Sequence, residues 1–131
     1  MAAANQNPMH PSSTVNPALE IPVSDTTVKT YCTAGANGYL VEDIIVVNKD
    51  AVNARIIELY LNNGSTDFLI GSANIPANAG VSGNPSVKLL SVLGVSMYTL
   101  AANYLLKVKA PVALTSVIQL TPYRIYDYVA L

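Results

Sequence analysis

Apolar and polar residues alternate along this chain with a period of two, in short stretches closed by Gly, Asn, Asp or Pro. That is the pattern of strands and turns. Residues 28–33 (VKTYCT) are β-branched and alternating. Residues 40–48 (LVEDIIVVN) form the strongest strand signal, and their second half is apolar on both faces, as a buried central strand requires. Further strands are predicted over 54–61 (ARIIELYL) and 67–70 (DFLI). Asn37-Gly38 and the run Asn62-Asn63-Gly64-Ser65 supply the chemistry of tight hairpin turns, so these strands are expected to form an antiparallel meander. An open loop over 74–80 (NIPANAG) continues through Gly83-Asn84-Pro85, and Ser86 is placed to cap a short helix near 86–92. In residues 104–110, Tyr104, Leu106 and Val108 share one face, and Leu105, Lys107 and Lys109 the other. Residues 114–121 complete the set, with Leu114, Ile118 and Leu120 on the buried face and Pro111 and Pro122 outside the strands. The expected fold is all-β: an antiparallel β-sandwich or jelly-roll-like domain.

The two ends read differently. Residues 1–26 are punctuated by Pro8, Pro11, Pro17 and Pro22, which forbids a helix and favours extended backbone. Their apolar residues are too few and isolated to fold alone, so this N-terminal arm is expected to lie on another subunit. The chain then divides into an arm over 1–26, a sandwich over 27–121 and a Tyr-rich C-terminal tail over 122–131. The tail, with TPYRIYDYVAL from Thr121 onward, is aromatic and nearly uncharged. Tyr and Arg are enriched at interface hot spots, so Tyr123, Arg124, Tyr126 and Tyr128 join the arm prolines as candidate interaction residues. Two other readings remain open for the tail: a last strand packing on its own domain, and a sugar platform in which Asp127 sits beside the tyrosines.

Composition changes the picture by what it removes. The 131 residues are 51% hydrophobic but only 11% charged, against roughly 25% in an ordinary globular domain. A surface so poor in charge suits a subunit whose partners cover much of it. The net charge is −1, and the seven basic residues stand singly, so the footprint of a nucleic-acid binder is missing. The first 26 residues contain no basic residue and no apolar core, which disfavours a signal peptide. Residues 89–106 are uncharged and long enough to span a membrane, but Ser91, Gly94, Ser96, Thr99 and Asn103 interrupt them, so no membrane association is expected.

Candidate chemistry is sparse. One Cys and one His exclude an internal disulfide, a multi-Cys metal site and most histidine-based metal chemistry. His10 lies in the arm without an orienting partner, and Cys32 has no neighbouring base to activate it. Glu42 and Asp43 are adjacent on a predicted strand and point to opposite faces, while Asp25, Asp50 and Asp67 fall in turns or at strand edges. Asn63-Gly64-Ser65 matches a glycosylation sequon, although a hairpin explains it better. No catalytic, cofactor-binding or metal residue is expected.

One stretch carries a resemblance. Residues 43–80 run from a strand ending in Asn48 through a turn, a strand reading R-x-x-x-x-Y-L (Arg55–Leu61) and then I-P-A-N-x-G (Ile75–Gly80). A V-x-L-L segment (Val87–Leu90) and a strand like 104–110 follow. This order resembles small β-sandwich structural proteins of tailed bacteriophage virions, over roughly two thirds of the chain. The resemblance implies a non-enzymatic capsid decoration or cement protein, made in the host cytoplasm, that stabilises the particle by binding the major capsid protein or other virion subunits. A homo-oligomer is implied too, with a trimer suited to local threefold positions. Tail, neck or fibre components use similar domains, and a carbohydrate- or receptor-binding module is the alternative from another class.

Overall fold

Ten strands and one helical turn account for the regular structure in a computed structural model that describes residues 9–130. They are β1 (Met9–Val15), β2 (Leu19–Ile21), β3 (Lys29–Thr33), β4 (Tyr39–Asn48), β5 (Arg55–Asn62), β6 (Asp67–Ile75), β7 (Val87–Lys88), α1 (Leu89–Val92), β8 (Tyr98–Leu100), β9 (Leu105–Lys109) and β10 (Ile118–Ala130). One sheet has β10 and β4 at its centre, with β1 and β2 end to end along β10 and β7 and β8 end to end along β4. The other runs β3-β9-β5-β6, and every pairing in both sheets is antiparallel.

With β1/β2 and β7/β8 each counted as one leg, the pairings nest. β5 pairs β6, β4 pairs β7/β8, β3 pairs β9 and β1/β2 pairs β10, like successive rungs of one long hairpin. That hairpin is wound over so that β10 also meets β4 and β9 also meets β5. This is a jelly roll, one of the two expected forms. Between the sheets, Ile44, Val46, Ile57, Leu59, Leu106, Val108, Ile118 and Leu120 are fully buried. The alternation read in 104–110 and 114–121 is the one observed, with Leu114 also buried. The uncharged stretch 89–106 divides among α1, β8 and the start of β9, and no helix among the described residues is long and apolar enough to cross a membrane.

The meander is not formed. Consecutive strands β3, β4 and β5 alternate between the sheets, so Asn37-Gly38 turns the chain across the end of the sandwich rather than back along its own sheet. Asn63-Gly64, by contrast, closes the β5–β6 hairpin as expected, with the Asn63 N–H donating to Thr66 O at 3.3 Å. The cap of α1 also differs. The helix starts later than expected, after Lys88, and its N-cap side chain makes no capping bond. Asp43 on β4 does the work instead: its carboxylate accepts the N–H of Leu90 and of Ile44, each at 2.8 Å, and the hydroxyl of Ser91. Asp43→Ala leaves two buried N–H groups unpaired and should cost about 2–3 kcal/mol. Asp43→Asn keeps an acceptor for both and should cost clearly less, as chemical denaturation of the pair would show.

At one end of the sandwich a second carboxylate ties three loops together. Asp50 accepts the N–H groups of Val52 and Asn53 (both 2.9 Å), the Arg55 guanidinium (2.9 Å) and the Thr115 hydroxyl (2.9 Å), and its carbonyl accepts the Asn78 N–H at 2.8 Å. The neighbouring Asn48 is buried and donates to Asn53 O and Pro76 O. The backbone N–H bonds, followed by Thr115 and Arg55, hold the Asp50 carboxyl well below the usual carboxylate range. A depressed folded-state pKa gives stabilisation that is complete above the unfolded value, about 4. It is lost as pH falls below that. Asp50→Asn should therefore be less stable than wild type at pH 7, with the gap closing towards pH 2; urea midpoints across that range are the measurement.

Candidate interaction surface

The N-terminal segment is part of the sandwich. Residues 9–15 pair with 125–130 of β10 and residues 19–21 with 118–120, so the two strands run as one line along the edge of β10 in the same chain. Ile21 is 1% exposed and lies in the core cluster, with Val15 and Leu19 packed against it. The arm borrows the surface it needs from its own chain: β10 offers a free ladder and a core edge that the composition of 1–26 alone does not reveal. The strand pairing crosses the boundary expected between body and tail, because 122–130 continue a strand that begins at Ile118.

The candidate prolines sit accordingly. Pro8 lies outside the described residues. Pro11 is exposed on edge strand β1 opposite Tyr128, where a missing N–H does no harm and discourages another strand from adding. Pro22 follows β2 and ends it. Pro17 lies in the gap between β1 and β2, where residues 16–18 face 121–124 of β10. Pro122 is in that facing stretch, within the strand rather than outside it, and two residues without N–H donors explain why the ladder lapses there. A shallow groove opens beside the gap, lined by Ala18, Leu19, Glu20, Gln119, Leu120 and Thr121. Its one carboxylate, Glu20, accepts a bond from Gln119 Nε2 at 2.9 Å.

Beside this gap both central strands leave strict alternation. On β10 the core positions are Ile118 and Leu120, then Ile125; on β4 they are Val46 and Ile44, then Val41. Leu120 pairs with Val46 and Ile125 with Val41, so the change of phase falls at one place on both strands, at Arg124 and Glu42. Arg124 has φ +59, the left-handed region, in the middle of a strand. That conformation costs an L-residue about 1–2 kcal/mol. Its side chain is 60% exposed, with one 3.7 Å contact to Glu42.

The structure brings Tyr123 and Arg124 together with a residue the sequence did not single out. Lys88 Nζ lies 4.0 Å from the centroid of the Tyr123 ring, and Arg124 Cζ lies 5.2 Å from it, so two cations flank one aromatic face or edge. Lys88 comes from β7, on the far side of β4, and only the sheet order places it there. Tyr126 lies in register between Thr14 and Leu40, and Leu40 next to Thr99, in a row that runs across the sheet. Leu40 is buried yet outside the core cluster, which puts this row on the outer face. The adjacent row holds Asp127, Tyr39 and the core residue Leu100, and Asp127 lies beside Gly35. Asp127 and the pair Tyr126 and Tyr128 therefore belong to opposite faces, which separates the parts of the sugar platform.

Two other titratable groups, Cys32 and Tyr31, lie in the core. Cys32 is buried, and burial pushes its thiol up to about 11, where it is protonated at neutral pH. Burial also raises the Tyr31 hydroxyl. Among the described residues no three His, Cys, Asp or Glu side chains are grouped as metal ligands. A second apolar surface is visible on edge strand β6, where Phe68 and Leu69 stand about half exposed next to each other.

No protein-family model matches the chain, and no curated protein matches it in sequence. Among solved structures, a chain in the acidic stable capsid structure of Helicobacter pylori bacteriophage KHP30 has a similar fold, with a TM-score of 0.58 and 11% identity over 96% of this chain and 100% of that one. A pentameric capsid protein isolated from metagenomic phage sequences gives a TM-score of 0.41 and 15% identity in each of two crystal structures, over 86% of this chain and 61% or 62% of that one. At such identities the likeness is one of fold.

Proposed function

We propose that this chain is a non-enzymatic structural subunit of a bacteriophage virion, a decoration or cement protein that binds neighbouring capsid subunits. The observation that carries the proposal is the end-to-end correspondence with a chain of the KHP30 capsid structure. The match takes in 96% of this chain and 100% of that one. The charge-poor composition and the aromatic outer face of β10 support the same reading, because both suit a surface covered by partners. In this proposal Tyr123, Arg124, Tyr126 and Tyr128 form the docking face, with Pro11, Pro17 and Pro22 shaping the edge strand beside it. The protein acts as a homo-oligomer on the outside of the particle, a trimer matching local threefold positions.

Particles assembled from the encoding genome test it. The protein should be present at a fixed ratio to the major capsid protein, and particles assembled without it should disrupt at a lower temperature. A particle that contains none of it refutes the virion reading. A particle that contains it only at the tail would move the address from head to tail and refute the cement role.

A further inference from the structure

We infer that Arg124, next to Tyr123 on β10, and Lys88, reaching the Tyr123 ring from β7 across β4, form a receptor for a carboxylate carried by a neighbouring virion subunit. The inference rests on the virion reading for the identity of the partner, and on geometry for the chemistry. Arg124 is held at φ +59 in a position where glycine would be the relaxed choice, so the fold does not benefit from its backbone. Its side chain is 60% exposed, and its one acidic neighbour among the described residues is Glu42, at 3.7 Å, beyond hydrogen-bond distance. Lys88 Nζ rests over the Tyr123 ring at 4.0 Å and has no carboxylate oxygen within 4.0 Å among the described residues. Asp43 pairs in register with Tyr123, but both its oxygens are turned to Ile44, Leu90 and Ser91. Two cations are thus fixed on an aromatic support, and among the described residues the one carboxylate that approaches either of them is Glu42, 3.7 Å from Arg124 and making no hydrogen bond to it.

A planar carboxylate fits this pair. The guanidinium fork can hold both oxygens while the ammonium acts as a point charge beside them. A polyphosphate backbone fits poorly, because only two cations converge, Glu42 stands next to them and the whole chain carries −1. Tyr126 and Tyr128, farther along β10, add apolar contact for the segment that bears the acid.

The test is Arg124→Gly, Arg124→Lys and Lys88→Gln in the full chain, each read by thermal unfolding, by co-sedimentation with particles lacking the protein, and by NMR titration. Arg124→Gly should unfold at the same or a higher temperature than wild type while binding particles at least tenfold more weakly. Lys88→Gln should also weaken binding, and Arg124→Lys should fall between. In the titration, an acetylated Glu-Glu peptide should shift resonances at Tyr123, Lys88 and Arg124, whereas inorganic phosphate and a DNA oligonucleotide should not. If wild type ignores the particles yet the peptide shifts those resonances, the virion reading fails and the carboxylate site stands. Peptide binding that is absent, or that survives both charge removals, overturns the inference. So does an Arg124→Gly variant that is less stable and binds particles normally once folded, or a site that answers to DNA instead.

Discussion

Gly38→Ala destabilises the domain by about 3 kcal/mol, from a left-handed backbone that disfavours a side chain and a methyl group with no room. Gly38 has φ +84, and a Cβ there would lie 2.5 Å from the carbonyl oxygen of Leu100 and 3.6 Å from the backbone of Ala101 and Ala102. None of these atoms can swing away as a side-chain tip would. The residue is also bonded on both sides, its N–H to Gly35 O and its carbonyl to Tyr128 N, each at 3.1 Å. Relieving the clash therefore disturbs the turn that carries the chain from β3 to β4 and the end of β10 together. Gly64→Ala is the control: Gly64 has φ +103, but a Cβ there would meet nothing within 4 Å, so only the backbone cost applies, about 1–2 kcal/mol. Thermal unfolding should place Gly38→Ala well below Gly64→Ala, and equal midpoints would mean that the contact with Leu100 is not a constraint.

Deleting residues 1–21 costs more, at least about 4 kcal/mol, because a buried Ile and the edge of a sheet go with them. Ile21 is 1% exposed, and Val15 and Leu19 pack on the core, so removal opens the sandwich along all of β10. A domain of this kind holds about 5–15 kcal/mol in total, so the product should be marginal or unfolded at 37 °C. Deleting only residues 1–14 is a different experiment. Residues 11–14 are all exposed, and the loss should stay within about 1–2 kcal/mol. Circular dichroism and urea midpoints on the two deletions separate an anchoring strand from a dispensable one. The shorter deletion also isolates what β1 contributes to particle binding without disturbing the fold.

Much of the fold can be read from local pattern, and the failures share a cause. The strands from 40 to 70 announce themselves by β-branched runs, and the faces of 104–110 and 114–121 follow from a period of two. The two Asn-Gly dipeptides look alike, yet one closes a hairpin and the other crosses between sheets. A turn residue reports the local φ it permits, whereas the sheet that the next strand joins depends on partners elsewhere in the chain. The arm misleads for a related reason: Pro11 and Pro17 describe an edge, and a shortage of apolar residues cannot say whose edge it is. Of the candidate surface, Tyr123, Arg124, Tyr126 and Tyr128 are visible because aromatic residues crowd one short segment. Lys88 is hidden, since only the order β10-β4-β7 brings it to the Tyr123 ring.

The paired change of phase at Glu42 and Arg124 also limits how the chain can be assembled. In two uniform strands a slide by two residues restores the match of inner and outer faces, so several alignments compete. Here an irregularity on β10 must meet an irregularity on β4, and any slide brings a kinked stretch against a regular one, turning Val41 or Ile125 away from the interior. The two strands work like a key and its ward, and only one alignment lets both turn.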